Sequence, residues 1–190
     1  IAAYGMINRL MMFLFMPIFG IVQGFQPIAG HNYGARRMDR VKEAVWKATI
    51  VATLFSLIGF ALIMGLPRTI LSIFTTDEAA LSIAVPALRT ILMLIPLLGL
   101  QVVGATFFQS IGKAVPAFLL GLSRQFILLI PLLLILPGFF GLNGVWYAFP
   151  IADILSAAIT AVWLLSGLRK MCRDFNEEQP LVTDRPANRC

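Results

Sequence analysis

Charged residues are scarce in this chain of 190 residues, and histidine and cysteine are scarcer still. Only 13% of the residues are charged, against about 25% in a typical soluble domain. His31 is the only histidine, and the two cysteines, Cys172 and Cys190, lie in a polar C-terminal stretch. Such residues are too few and too isolated for a metal site. Without a Ser-His-Asp arrangement, a Walker loop or a CxxC pair, neither an intramembrane protease nor an ATPase domain is supported, and we expect no enzyme and no cofactor.

Apolar residues are in excess instead. They make up 59% of the chain, whereas about 45–50% is usual for soluble domains. A soluble domain could not cover this much apolar surface, so lipid must be the solvent. The net charge of +6 belongs mostly to residues between apolar runs, where membrane topology uses them. We therefore predict a lipid bilayer as partner and no nucleic acid.

The apolar residues fall into five stretches long enough to span a membrane, since about 20 residues cross the hydrocarbon. The predicted fold is an all-α, polytopic transmembrane helix bundle, followed from residue 171 to residue 190 by a disordered cytoplasmic tail. The predicted spans are residues 3–29, 44–66, 81–110, 114–136 and 144–168.

Basic residues alternate between the connectors. The first connector carries the topology anchor Arg36, Arg37, Arg40 and Lys42. The third connector and the start of the tail are also basic, whereas the second and fourth hold one basic residue between them. The positive-inside rule then places the basic connectors and the C-terminus in the cytoplasm of a multi-pass protein of the cell (inner or plasma) membrane.

Local patterns add three expectations. Prolines inside the spans, such as Pro17 and Pro27, should kink the helices, which is more typical of a transporter than of an anchor. Gly20 and Gly24 form a GxxxG pattern that predicts close helix packing. A threonine and a glutamate three residues apart, at positions 75 and 78, fit a capping box at the start of a surface helix.

Two ionisable residues are predicted deep in the membrane, where each costs at least about 2.5–3.5 kcal/mol. Arg124 lies about ten residues into the fourth span, and Asp153 lies at similar depth in the fifth. A short connector makes the two helices antiparallel neighbours, so the side chains can pair. The pair is either an ion-coupling or substrate-path element, or a static contact that fixes helix packing.

Uncharged polar side chains form a second set. Buried amides in a membrane need partners and can line a wet cavity, or they can simply join helices. Several methionines in the first span supply adaptable apolar surface, which suits a promiscuous drug pocket as well as ordinary packing. The amides predicted as further candidates for the substrate path are Gln23, Gln26, Gln101 and Gln109.

Several stretches together resemble a known family. GIVQGFQPIAGHNYGAR at residues 20–36 looks like part of the C-terminal lobe of a multidrug and toxic compound extrusion (MATE) transporter, most similar to the MepA-like and DinF-like bacterial branch. Three later pieces agree with this resemblance in order and spacing: LSIFTTD at 71–77, GATFFQSIGK at 104–113, and SRQ at 123–125 with GVWYAFPIAD at 144–153.

The resemblance implies a parent with two six-helix lobes around a central cavity and alternating access by rocking of the lobes. Residues 1–170 would supply five spans of the C-terminal lobe. Because Ile1 already begins an apolar helix, we expect a fragment whose N-terminal lobe is missing. Some branches of the family place a cation site on carboxylates of the seventh and tenth helices. The tenth, residues 81–110, has no acidic residue, so coupling would reside in the missing lobe or at Asp153.

The function expected from this resemblance is part of a secondary-active multidrug antiporter that exports amphipathic or cationic drugs in exchange for H⁺ or Na⁺. One alternative is a flippase of the same superfamily for a lipid-linked oligosaccharide. That function would be expected to need several inward basic residues for a pyrophosphate, and only Arg124 is predicted deep. The other alternative is a truncated membrane protein that transports nothing, which leaves Arg124 and Asp153 without a purpose.

Overall fold

The computed structural model describes residues 2–75 and 77–177, and the regular structure in these ranges is entirely helical. Five helical stretches are long and apolar enough to cross a membrane, which confirms the predicted all-α polytopic bundle. Their bounds are Ile7–Gly34, Met38–Gly65, Ala84–Ser110, Ala114–Phe139 and Gly144–Phe175.

Ten helical segments build these spans. Several helices run past the predicted spans, because apolar composition marks the hydrocarbon crossing and a helix continues into the polar interface beyond it. The α-helices are α1 Ala2–Gly34, α2 Met38–Gly65, α3 Pro67–Ser72, α4 Glu78–Ile91, α5 Leu98–Ser110, α6 Ala114–Leu122, α7 Ile130–Phe140 and α8 Leu142–Glu177, with a 3₁₀ turn at Ile95–Leu97 and a π-helical segment at Ser123–Leu129.

The third span is not one helix, contrary to the single stretch predicted for residues 81–110. It breaks after α4, passes through the 3₁₀ turn at Ile95–Leu97 and resumes as α5. Pro96 lies in this turn, where its ring and its missing N–H prevent a continuous α-helix. By contrast, α1 continues through both Pro17 and Pro27. A proline in a span therefore breaks the helix at one position and is accommodated at others.

The predicted capping box at the start of α4 is wrong. The backbone N–H of Asp77 donates to Thr75 Oγ1 at 3.2 Å, which is a local turn contact. Glu78 is the first residue of α4 and not its third, so its carboxylate cannot reach back to a cap. The carboxylate instead forms an exposed salt bridge with Arg68 at 2.7 Å.

The bundle packs around α5. Buried side chains of this helix, such as Val103 and Phe107, contact apolar residues of α1, α2 and α8. Glycines allow the closest approaches: a Cβ on Gly99 would lie 2.7 Å from the backbone nitrogen of Thr53, and one on Gly104 would overlap Thr160 Cγ2. Both approaches are closer than van der Waals contact, so glycine at these positions sets the spacing of α5 from α2 and α8.

The predicted GxxxG contact is wrong in the described structure. A Cβ on Gly20 or Gly24 would meet no atom within 4 Å, since both residues lie on the exposed side of α1. The buried side of α1 is formed by larger apolar residues, including Ile18, Val22 and Phe25. Spacing alone does not reveal which face of a helix is covered.

One end of the bundle carries most of the basic residues, and we call it the basic end; it holds the α1–α2 turn, the α5–α6 turn and the end of α8. There α8 continues to Glu177, so the tail predicted as disordered is helical over residues 171–177. The physical reason is a set of apolar side chains on one helix face: Met171 and Cys172 are buried, and the Phe175 ring packs edge-on against Tyr33. Residues 178–190 of that prediction lie outside the described residues.

Candidate functional site: a buried ion pair at a three-helix junction

The two ionisable residues predicted deep in the fourth and fifth spans are in direct contact. Arg124 Nε donates a hydrogen bond to Asp153 Oδ1 at 2.5 Å. The Asp153 side chain is 3% exposed and the Arg124 side chain 21% exposed. The contact confirms the predicted pair. Because the carboxylate is buried and the guanidinium is partly exposed, any approach to this pair from outside the lobe comes from the arginine side.

A third helix reaches the same point. Gln101 of α5 is buried, and its Nε2 donates to the backbone carbonyl of Asp153 at 3.0 Å. This hydrogen bond uses the peptide oxygen and leaves the carboxylate to Arg124. Of the predicted amides, Gln101 is the one that the structure brings to the pair.

Two serines extend the contact along α8. Ser123 Oγ and Ser156 Oγ lie 3.4 Å apart, and the Ser123 hydroxyl also donates to the Leu120 carbonyl at 2.8 Å. Ser156 lies three residues after Asp153 and therefore on the same side of the helix. We call the five residues Gln101, Ser123, Arg124, Asp153 and Ser156 the Asp153 cluster. Every buried side-chain nitrogen and oxygen of the described residues has a hydrogen-bond partner.

The π-helical segment places two members of this cluster. It begins with Ser123 and Arg124 and ends at Leu129, directly before the helix that contains Pro131. A π turn holds one more residue than an α turn, and such turns often occur at functional sites. The missing N–H of Pro131 leaves an upstream carbonyl without its α-helical donor, which favours a widened turn at this point. The widening was not predictable from apolar periodicity.

The other predicted amides lie elsewhere. Gln23 and Gln109 are exposed, and Gln26 is half-buried. Gln23 lies on the uncovered face of α1 and Gln109 lies near the α5–α6 turn, far along α5 from Gln101. These residues do not contribute to the Asp153 cluster, and their place in a substrate path remains a prediction.

Two uncovered faces of the bundle differ in chemistry. The uncovered face of α2 is aliphatic, with Val51, Leu54 and Ile58 about half exposed, as expected for contact with lipid. The uncovered face of α1 combines exposed methionine and phenylalanine side chains with glycine, glutamine and arginine. Its members are Arg9, Met12, Phe13, Met16, Phe19, Gly20, Gln23 and Gly24.

Two arginines in the spans escaped the sequence prediction. Arg9 lies in α1 and Arg89 in α4, and both are exposed. Gly30 and Ser110 touch at the basic end, where a Cβ on Gly30 would lie 2.9 Å from the Ser110 carbonyl oxygen. Each arginine precedes its member of this contact by 21 residues, by subtraction of the residue numbers, or about 31 Å of helix. Counting charges inside the predicted spans would have found both.

Metal ligands do not gather in the part of the chain that the structure describes. No group of three or more His, Cys, Asp and Glu side chains there could hold a metal ion. His31 lies exposed in the last turn of α1, one turn earlier than the loop predicted for it.

Five membrane-spanning helices, a widened turn and a buried charged pair define a polytopic membrane protein of the transporter type. The chain belongs to the MatE family, whose sequence pattern matches residues 1–135. It is 27% identical over 167 residues to the multidrug export protein MepA of Staphylococcus aureus strain NCTC 8325, covering 87% of this chain and 37% of MepA. It is 24% identical over 169 residues to MepA of Staphylococcus haemolyticus strain JCSC1435, covering 89% and 37%.

Solved structures show the same fold. The MATE multidrug transporter DinF-BH, in a structure with a bound drug, is 47% identical and has a TM-score of 0.79, covering 86% of this chain and 36% of DinF-BH. An outward-facing multidrug resistance MATE transporter of the MOP superfamily is 22% identical with a TM-score of 0.85, covering 90% and 39%, and shows the fold alone. The chain thus spans somewhat more than a third of the length of these relatives.

Proposed function

We propose that this chain acts as the C-terminal lobe of a secondary-active multidrug antiporter, which exports amphipathic or cationic compounds in exchange for H⁺ or Na⁺. Support comes from the membership of the MatE family and from relatives named as multidrug export proteins. The likeness to DinF-BH, whose structure contains a bound drug, supports a small-molecule substrate. The observation that carries the proposal is the Arg124–Asp153 pair inside two spans.

The Asp153 cluster supplies the coupling in this proposal. A proton or Na⁺ that reaches Asp153 replaces Arg124 as the partner of the carboxylate. Arg124 is then left with an uncompensated charge in a membrane span, which costs several kcal/mol unless the guanidinium moves to water. Because Arg124 belongs to the π-helical segment, its movement rearranges the fourth span. Cation binding and helix movement are coupled through one salt bridge.

The uncovered face of α1 supplies the substrate contact in the same proposal. Met12, Phe13 and Met16 are each more than 60% exposed and form a soft surface that fits drugs of different shape. Gln23 lies farther along this face and offers a polar contact. A lobe built in this way selects for apolar bulk more than for one functional group.

Dye efflux tests this proposal. The complete reading frame that contains this chain is expressed in a pump-deficient bacterial host, and ethidium efflux is followed with and without proton and sodium gradients. We expect efflux that stops when the coupling gradient is collapsed. Asp153→Asn should reduce efflux to the level of the host alone, whereas Asp39→Asn, the same change at an exposed position of α2, should leave it intact at equal membrane levels.

Each result decides a different part of the proposal. Normal efflux by Asp153→Asn would exclude Asp153 from coupling while leaving export in place. No efflux of any cationic dye by the wild-type protein would contradict the export function itself, as expected for a membrane protein that does not transport.

A flippase for a lipid-linked oligosaccharide is the second candidate, and Arg9 and Arg89 favour it. Both guanidinium groups are exposed near the same level, at the end of the bundle opposite the basic end, where they could receive a pyrophosphate. Against it, Arg124 is neutralised by Asp153. A flippase should restore growth to a host lacking its own precursor flippase and should not export ethidium, whereas an antiporter should do the reverse.

The proposed localisation is the cell (inner or plasma) membrane, with the basic end and the C-terminus in the cytoplasm. The α1–α2 turn, the α5–α6 turn and the end of α8 all lie at the basic end, as their mutual contacts require. The positive-inside rule favours this end for the cytoplasm.

A further inference from the structure

We propose that a groove between α1 and α2 at the basic end binds one anionic phospholipid, with the lipid phosphate at Arg40 and an acyl chain along the groove. The proposal concerns a lipid site on the outer surface of the lobe. It does not depend on the exported compound or on the coupling ion.

The shape of the groove fits a lipid chain. It encloses about 600 Å³ between the two helices. Its floor is formed by the small residues Gly24, Ala44 and Ala48, and its walls by larger apolar residues such as Ile21 and Ile28. A Cβ on Gly24 would meet nothing within 4 Å, so the depth of the groove depends on the absence of a side chain there.

The mouth of the groove carries charge. Lys47 Nζ and Glu43 Oε1 form a salt bridge at 2.6 Å, so these two charges compensate each other. Arg40 lines the same mouth and adds a second cation beside Glu43, which leaves one net positive charge. A guanidinium fits a phosphate through two parallel hydrogen bonds. Asn32 donates to the Ile28 carbonyl at 2.8 Å, which orients its own amide oxygen as a further acceptor at the mouth.

The surroundings of the groove select a lipid over other occupants. The groove ends at Val51, and the aliphatic face of α2 continues from there through Leu54 and Ile58. An acyl chain can therefore pass from the groove into the bilayer without meeting a polar group. A cationic drug would meet Arg40 at the mouth, which disfavours it by like-charge repulsion. The combination of a cationic mouth, a narrow apolar floor and an aliphatic exit fits an anionic phospholipid.

Lipid retention measured by native mass spectrometry tests the site. The protein is purified in mild detergent, mixed with phosphatidylglycerol or phosphatidylcholine, and stripped with increasing detergent. We expect one phosphatidylglycerol molecule to stay bound after the others are lost. Arg40→Gln should weaken its retention about fivefold, since a basic residue near an anionic headgroup has an effect of that size. Gly24→Phe should fill the groove and abolish retention.

Matched variants separate the groove from the rest of the surface. Gly20→Phe enters equally open space one turn away, and Arg37→Gln removes an exposed charge near the groove without lining it. Both should retain the lipid as the wild-type protein does. Equal loss in the controls, equal retention of phosphatidylcholine, or retention by Gly24→Phe would each overturn the proposal. None of these results bears on ethidium efflux, so failure here is distinguishable from failure of the export function.

Discussion

Asp153 is the residue on which the charge balance of the spans depends. Its buried carboxylate contacts Arg124, while Gln101 holds its peptide oxygen. Removing one partner of a buried pair costs about 3–5 kcal/mol, whereas removing both can be nearly neutral. A pair of this kind is stable until another cation competes for the carboxylate, which is the behaviour that coupled exchange needs.

At the same scale, Gly104 sets the distance between α5 and α8. We expect Gly104→Ala to lower the thermal unfolding temperature in detergent, because the new Cβ would overlap Thr160 Cγ2. Thr160→Ser removes that methyl group and keeps the hydroxyl, which donates to the Ser156 carbonyl at 2.8 Å. The double variant should therefore recover most of the lost stability.

Gly20→Ala serves as the control for this prediction. Gly20 lies in α1 with open space at its Cβ, so alanine should stabilise the helix by about 0.5–1 kcal/mol. A loss of stability in this control, or no rescue by Thr160→Ser, would contradict the assigned contact.

Among the elements, the π-helical segment Ser123–Leu129 fixes the rotation of the fourth span. Deletion of Ile127, which is exposed within this segment, should restore α-helical register and rotate α6 by about 100° relative to α7. Arg124 would then leave Asp153, and ethidium efflux should be lost although the protein still inserts into the membrane.

A crosslink reports this rotation directly. Ser123→Cys with Ser156→Cys, in a background with Cys172→Ala and Cys190→Ala, should crosslink readily because the two hydroxyl oxygens lie 3.4 Å apart. The deletion should abolish the crosslink. A crosslink that forms equally well in the deletion variant would show that the segment does not control the register.

The elements also show what the sequence could and could not predict. Five spans and the Arg124–Asp153 pair were predictable, because apolar length and the cost of a buried charge act within single helices. The break at Pro96 and the open surface at Gly20 were not, because both depend on neighbouring helices that sequence spacing does not identify. The helical extension to Glu177 was concealed by its basic residues, although Phe175 packs at helical spacing.

For the whole molecule, the basic end predicts the orientation in the membrane. Green fluorescent protein fused after Cys190 should fluoresce, and alkaline phosphatase fused there should be inactive, because both reporters would lie in the cytoplasm. Alkaline phosphatase inserted at Gly141, at the opposite end between α7 and α8, should be active. The reverse pattern at the two sites would invert the proposed topology.

The contact between Phe175 and Tyr33 has a consequence for the order in which the chain is made. Tyr33 lies at the end of the first span, Arg36 beside it adopts a left-handed conformation, and its guanidinium lies 5.7 Å from the Phe175 ring centre. The ribosome adds Phe175 only after it has made nearly all of the five spans. The α1–α2 turn therefore waits unclamped during synthesis, and a chain interrupted before Phe175 should expose this turn to membrane proteases. Completion of the last helix would thereby serve as a checkpoint for the lobe.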